Sequence, residues 1–149
     1  MWRYVKMMGV IIALISGALM SVQGVFNTEV TKQTSIWVSN SWVQFTALLV
    51  CLGAWLFKGR ESFGKLMQVS PKYLLLGGVL GAFITLTVIM SMDQLGPAKA
   101  ALLIVVAQLV VAYVIELFGL FGMEKADFQW SKLIGLAVAI GGIIIFKWE

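Results

Sequence analysis

The sequence predicts an all-α membrane protein with five transmembrane helices. Of its 149 residues, 60% are apolar and 12% are charged, whereas soluble domains have about 45–50% apolar and about 25% charged residues. A soluble chain of this length needs more polar side chains than that to cover its core. Several uncharged stretches are long enough to cross a hydrocarbon layer of roughly 30 Å as helices. They are continuously apolar, without the alternation typical of barrel strands.

The five helices are predicted in order along a single integral membrane domain that covers residues 1–149. The first follows a basic start, but it runs on past a signal-peptide length with no small-residue cleavage site, so we expect it to be retained. The second and third are uncharged throughout, and the fourth contains one acid, Glu116. The fifth has a short uncharged core, which snorkelling Lys and interfacial Trp at its ends would extend. The predicted helices cover residues 7–27, 36–57, 73–92, 100–122 and about 131–148.

Lysine and arginine are unevenly divided between the two sides of the membrane. Five spans place the termini on opposite sides, with eight basic residues on the side of the N-terminus and three on the other. The positive-inside rule therefore predicts a cytoplasmic N-terminus and an external C-terminus. The eight are Arg3, Lys6, Lys58, Arg60, Lys65, Lys72, Lys125 and Lys132, and the three are Lys32, Lys99 and Lys147.

The composition also excludes several kinds of chemistry. The sequence has no His and a single Cys, Cys51, so it has no histidine base, no intramolecular disulfide and no cysteine-rich metal site. No nucleophile and base pair is visible, and we predict no enzymatic activity, no catalytic residue, no cofactor and no metal. The basic residues are scattered through the loops rather than forming a stripe with aromatic residues, so no nucleic-acid partner is predicted.

Small residues at four-residue spacing mark faces on which helices can approach closely. Such ladders within one chain usually pack its own helices, and dimerisation or a sliding contact is the alternative. They are Ala13, Gly17 and Ser21 in the first helix, Gly77, Gly81 and Thr85 in the third, and Gly135 and Ala139 in the fifth.

Polar side chains inside the spans are the candidates for a substrate pathway, because burial in hydrocarbon is costly unless they find partners or line water. Gln44 and Gln108 lie about 12–14 Å deep by residue count, near the midplane. The same side chains can instead form hydrogen bonds between helices, which remains an open alternative for each of them. The candidates are Gln23, Asn27, Asn40, Gln44 and Gln108.

Glu116 is the one carboxylate inside a predicted span. An intramembrane acid is expensive and suggests a proton-titratable or cation-binding group. The alternative is an interfacial acid that pairs with Lys125 or Lys132 of the inner loop. Tyr113, together with Trp42, could provide an aromatic wall for an organic cation.

Four blocks of this sequence are, in order, GALMSVQGVFNTEV, PKYLLLGGVLGAF, QLGPAKAALLIVVAQLVVAYVIELFGLFGMEK and WSKLIGLAVAIGGIIIF. They resemble, in the same order, those of the YdcZ-like branch of the drug/metabolite transporter superfamily. The resemblance covers nearly the whole chain, and the end of the chain is also similar to EamA-like repeats. In contrast to the related small multidrug resistance proteins, the first helix has no deep glutamate.

The resemblance implies a five-helix unit that is half of a ten-helix transporter of the inverted-repeat type, located in a bacterial inner membrane. A second five-helix chain, either another copy or an oppositely oriented paralogue, would complete it. By position, Gln23 and Asn27 match the motif of the first helix, Gln108 matches a Gln of the fourth, and Glu116 falls where the family often has an acid.

We therefore expect a subunit of a small-molecule transporter, an exporter of small organic cations or metabolites that works by alternating access as an antiparallel dimer. Its partners would be the lipid bilayer, the substrate and the second chain. The alternative is a non-transporting subunit that stabilises or regulates an oppositely oriented paralogue. This alternative is kept open because eight basic residues against three is not the balance that a dual-topology homodimer should have.

Overall fold

The structure, a computed structural model, describes residues 2–147, with the backbone alone at positions 2, 3, 5 and 147. This part of the chain contains five α-helices and no strand, which confirms the predicted all-α class. The helices are α1 (Trp2–Gln33), α2 (Ile36–Lys58), α3 (Gly77–Leu95), α4 (Pro97–Phe118) and α5 (Trp130–Lys147).

Four segments within the described residues are long and apolar enough to cross a membrane. They are Lys6–Gln33, Ile36–Lys58, Lys72–Leu95 and Pro97–Phe118, whereas the fifth apolar helix, Trp130–Phe146, is shorter. The short fifth span agrees with its short uncharged core in the sequence. Residue 148, the predicted end of this helix, lies outside the described residues.

The end of α1 and the start of α3 differ from the sequence prediction. α1 continues to Gln33, beyond the predicted 27, and Ser35 then caps α2 by accepting a hydrogen bond from the Val38 N–H at 3.3 Å. Before α3, the segments Phe63–Gln68 and Lys72–Leu76 are 3₁₀-helical. The predicted third span therefore begins in a 3₁₀ turn and becomes α-helical only at Gly77.

Glycine residues determine both ends of α4. Gly96, with φ of 79°, separates α3 from α4, and Pro97 occupies the first turn of α4, where a missing N–H is tolerated. Gly119 adopts a left-handed conformation with φ of 63°, and its N–H donates back to the Glu116 carbonyl. A residue in this conformation ends a helix, so α4 ends at Phe118 rather than at the predicted residue 122.

The helices form two compact units, and the division falls after Gln94. In the first unit, α1 and α2 are joined by a very short turn and pack as a hairpin, and α3 contacts both of them. In the second unit, α4 packs on α5.

Most large apolar side chains of the described residues are exposed, and the buried apolar ones are Ile89, Met92 and Ala100. Such an apolar exterior suits a chain surrounded by lipid.

Candidate functional site

Side-chain amides of α2 contact α3 in the first unit. The Asn40 Nδ2 donates a hydrogen bond to the Ala82 carbonyl at 3.1 Å, and one turn later the Gln44 Nε2 donates to the Thr85 Oγ1 at 3.3 Å. The Thr85 hydroxyl in turn donates to the Gly81 carbonyl at 3.0 Å. Asn40 and Gln44 therefore lie on one face of α2, as expected for helical residues four apart, and that face is directed at α3.

Asn27 and Ser39 form the polar contact between α1 and α2. Both residues are buried, and the Ser39 Oγ donates a hydrogen bond to the backbone carbonyl oxygen of Asn27 at 2.9 Å. Thr28, also buried, donates its hydroxyl to the Gly24 carbonyl at 2.8 Å. Together with Asn40 these residues make a buried polar patch where the two helices of the hairpin approach their connecting turn.

Two buried acceptor atoms in this unit have no hydrogen-bond partner among the described residues. They are the Asn40 Oδ1 and the Thr31 Oγ1. A buried polar atom without a partner is unusual in a native structure and is compatible with water or a ligand. The free Asn40 carbonyl oxygen is thus able to accept a hydrogen bond from a bound molecule.

Gln23 and Gln108 have a different environment from the other amides. Gln23 is exposed on α1, one turn before the buried Asn27. Gln108 is exposed on α4, in the middle of a helix whose other residues are almost all apolar. Both amides thus face outward from the apolar helices of the single chain.

The second unit contains an ion pair between α4 and α5. The Lys132 Nζ lies 2.8 Å from the Glu116 Oε2, and this is the pairing with Lys132 that the sequence left as an alternative for Glu116. The same ammonium lies 5.3 Å from the centre of the Tyr113 ring, a distance at which a cation is attracted to the face of an aromatic ring. The Gln129 N–H donates to the Tyr113 hydroxyl at 3.3 Å, which fixes the far end of the ring.

A cleft of about 370 Å³ opens beside this ion pair. Tyr113, Glu116 and Lys132 form its polar part, and the rest of its wall is apolar. The side chains of the pair are only partly covered, with 37% of Lys132 and 45% of Glu116 exposed. The apolar lining residues are Leu109, Ala112, Gly135 and Leu136.

The glycines of the predicted small-residue ladders have open space beside them, whereas Thr85 of the third-helix ladder accepts a hydrogen bond from Gln44 of α2. Within the described residues, no atom outside the local helix lies within 4 Å of a Cβ built at Gly17, Gly77, Gly81 or Gly135. Ser21 donates its hydroxyl to the Gly17 carbonyl on its own helix at 3.2 Å. The four glycines thus make no close helix contact among the described residues.

Sequence reasoning missed Gly24, which lies at a close approach of α1 and α3. A Cβ built there would be 2.5 Å from both the Sδ and the Cε of Met92. The missed signal was the continuation of the ladder of α1 by steps of three and four, through Gly17, Ser21, Gly24 and Thr28. Counting only four-residue steps ended the ladder at Ser21.

The two aromatic residues proposed as a cation wall have separate surroundings. Trp42 is 59% exposed and lies 6.0 Å, centre to centre, from the Phe45 ring on its own helix. Tyr113 lies against Lys132 in the second unit. Of the two, Tyr113 is the one that contacts a cation in this structure.

Comparison with known proteins identifies one family. A family model described as "Putative inner membrane exporter, YdcZ" matches residues 8–145. No curated protein and no solved structure matches the chain. The family match extends from the first turns of α1 to the last turn of α5 and includes both units.

Proposed function

The chain belongs to the YdcZ family of inner-membrane exporters, and on this premise we propose that it is one subunit of a small-molecule exporter that works by alternating access as an antiparallel dimer. The substrates would be small organic cations or metabolites. The family and the apolar helices make the chain a multi-pass membrane protein. The dimer and the transport cycle are the proposal.

The observation that carries this proposal is the exposure of Gln23 and Gln108 on apolar helices. An amide that faces hydrocarbon without a partner is costly. A second chain that covers these faces would remove that cost and enclose the amides in an interior where a polar substrate can bind. Five helices cannot contain the two inverted repeats of such transporters, but two copies in opposite orientation can.

We assign Gln23, Asn27, Asn40, Gln44, Gln108 and Tyr113 to the substrate pathway and Glu116 to coupling with a proton or cation. The free Asn40 Oδ1 supports this assignment, because it can accept a hydrogen bond from substrate or water without breaking the bond to Ala82. Gly17, Ser21, Gly77, Gly81 and Gly135 would then provide small-residue surfaces for the second chain. The open space beside these glycines is compatible with that role.

The experiment that tests the proposal is transport of a fluorescent organic cation, ethidium, by the reconstituted full chain. We expect Glu116→Gln and Gln108→Ala each to reduce the initial rate by about tenfold, because about 1.4 kcal/mol of lost interaction corresponds to that factor. Glu124→Gln and Gln33→Ala are the matched controls, since they remove an acid and an amide at exposed positions away from the cleft. If both test variants transport at the rate of the controls, the assignment of these residues is wrong.

A second function is favoured by one observation, the uneven distribution of basic residues. A chain with eight basic residues on one side and three on the other should insert mainly in one orientation. Its antiparallel partner would then be a paralogue with the opposite bias, and this chain could be the stabilising, non-transporting half. Co-expression with such a paralogue would restore transport that the chain alone lacks.

A further inference from the structure

The Lys132 ammonium occupies a position that is built for a cation. It is bound by a carboxylate oxygen of Glu116 at 2.8 Å and lies 5.3 Å from the centre of the Tyr113 ring. A carboxylate and an aromatic face are the two groups that proteins commonly use to bind organic ammonium ions. Here α5 supplies the cation and α4 supplies both of the groups that bind it.

We infer that Lys132 is a tethered occupant of a site for an organic ammonium ion, and that the substrate binds by displacing it. The substrate's ammonium would take the place of the Lys132 Nζ between Glu116 and Tyr113, and its apolar part would lie in the adjoining cleft. This inference rests on the proposed function, because it gives the exporter's coupling carboxylate a specific ligand.

The geometry allows Lys132 to leave. More than a third of each side chain of the ion pair is exposed, and exposed ion pairs are weak. Lysine has a long flexible side chain with a strongly hydrated ammonium, and Lys132 lies in the first turn of α5, next to the loop. Its ammonium can therefore move into water at the end of the helix.

The cleft has the size and lining for the rest of such a ligand. Its volume of about 370 Å³ lies within the range of about 300–1,000 Å³ that is usual for small-molecule sites. Gly135 leaves open space in its wall, where nothing described lies within 4 Å of a built Cβ. Leu109 and Leu136 supply apolar surface.

Exchange of one cation for another keeps the charge beside Glu116 constant. Without a ligand, Lys132 neutralises the carboxylate, and with a ligand the substrate's ammonium does. The carboxylate is then never left unpaired in an apolar environment, which would be costly. A monovalent organic cation satisfies this condition, whereas a neutral metabolite would leave Lys132 in place.

The test is equilibrium binding of phenyltrimethylammonium to the purified full chain in detergent. Removal of the tethered competitor by Lys132→Gln should tighten binding by about fivefold, the factor expected for loss of a partly exposed ion pair. Lys125→Gln is the matched control, because it removes a basic residue of the loop before α5 that is neither a member of this ion pair nor a lining residue of the cleft. The control should bind as the unchanged chain does.

Further variants test whether the tighter binding of Lys132→Gln arises at this site rather than from another change in the protein. In the Lys132→Gln background, Glu116→Gln and Tyr113→Leu should each weaken binding. The separate single variant Lys132→Arg keeps a tethered cation and should bind as weakly as the unchanged chain does. Circular dichroism of each variant verifies that its helices are intact. Equal or weaker binding by folded Lys132→Gln, or binding that does not depend on Glu116, would overturn the inference.

This measurement does not depend on transport. If the binding results hold but ethidium is not transported, the cation site stands and the proposed exporter function fails. If ethidium is transported but Lys132→Gln does not tighten binding, the exporter function stands and the displacement of Lys132 is wrong.

Discussion

Gly24 shows how a single missing side chain allows two helices to approach. Its Cα faces the buried end of Met92, and a Cβ at this position would also lie 3.3 Å from the Val88 Cγ1. The Met92 side chain is flexible enough to yield to one methyl group. A larger side chain would instead have to displace α3, because Met92 is only 5% exposed and has little free space.

We therefore predict that Gly24→Leu destabilises the folded chain by roughly 1–3 kcal/mol, the usual cost of overpacking. Gly17→Leu, on the same helix with open space beside it, should leave the unfolding temperature of the single chain unchanged. Thermal unfolding of both variants in detergent, followed by circular dichroism, measures the difference. Equal unfolding temperatures would mean that Gly24 is not at a tight helix contact.

Glu116 shows the limit of reasoning from a single residue. The sequence placed this acid inside a span and left open whether it is free for coupling or paired with a lysine. The structure pairs it with Lys132 and places it within the last turn of α4, close to Gly119. Glu116 can be paired with Lys132 and also bind a substrate or coupling cation only if the ion pair can separate. The phenyltrimethylammonium binding experiment tests whether it does.

At the scale of helices, the α1–α2 hairpin depends on a short turn and on polar contacts beside it. Ser39 is 1% exposed, and its hydroxyl donates a hydrogen bond to the backbone carbonyl of Asn27 in α1. In an apolar surrounding, a hydrogen bond between helices holds them at a specific rotation as well as contributing free energy. The register of α2 against α1, and with it the direction of Asn40, depends on this contact.

Ser39→Ala should lower the free energy of unfolding by about 1 kcal/mol, the usual net value of such a hydrogen bond. Ser41→Ala, two residues along on an exposed face, is the control and should have no effect. Equilibrium unfolding monitored by tryptophan fluorescence compares the two. A loss of stability in Ser41→Ala as large as that in Ser39→Ala would show that the effect is one of helix propensity rather than of the contact.

For the whole molecule, orientation in the membrane is the property that decides between the two proposed functions. The loop between α2 and α3 contributes Arg60, Lys65 and Lys72 to the basic side. In this loop Lys65 is paired with Glu61 at 2.5 Å, and Lys72 bonds to the Met67 carbonyl. Acidic residues contribute little to the orientation rule, so the ion pair should not cancel the effect of Lys65.

Replacement of Arg60, Lys65 and Lys72 by Gln should raise the fraction of chains with a cytoplasmic C-terminus, because it reduces the charge bias from eight against three to five against three. Orientation is measured with an impermeant thiol reagent on intact cells, using Cys51→Ser and a Cys added after Glu149. Lys32→Gln with Lys99→Gln, on the other side, should shift the fraction in the opposite direction.

The labelling result for the otherwise unchanged chain separates the two assemblies. Labelling of about half the protein from outside is expected if both orientations are populated despite the bias, and it supports the antiparallel homodimer. Nearly complete labelling from outside would rule out that homodimer and require an oppositely oriented paralogue.

The sequence by itself determined the class of this protein and the number of its apolar helices, because these follow from local composition and from the length needed to cross a membrane. The four-residue spacing of Asn40 and Gln44 likewise puts both on one face of α2, since helical spacing is a local property. Only the tertiary structure decided which surfaces meet. Contacts such as Gly24 with Met92 and Glu116 with Lys132 join residues far apart in the chain, and they depend on how each helix is rotated about its axis and where a glycine ends it. Spacing along one helix defines a face, but the neighbour of that face is set by packing.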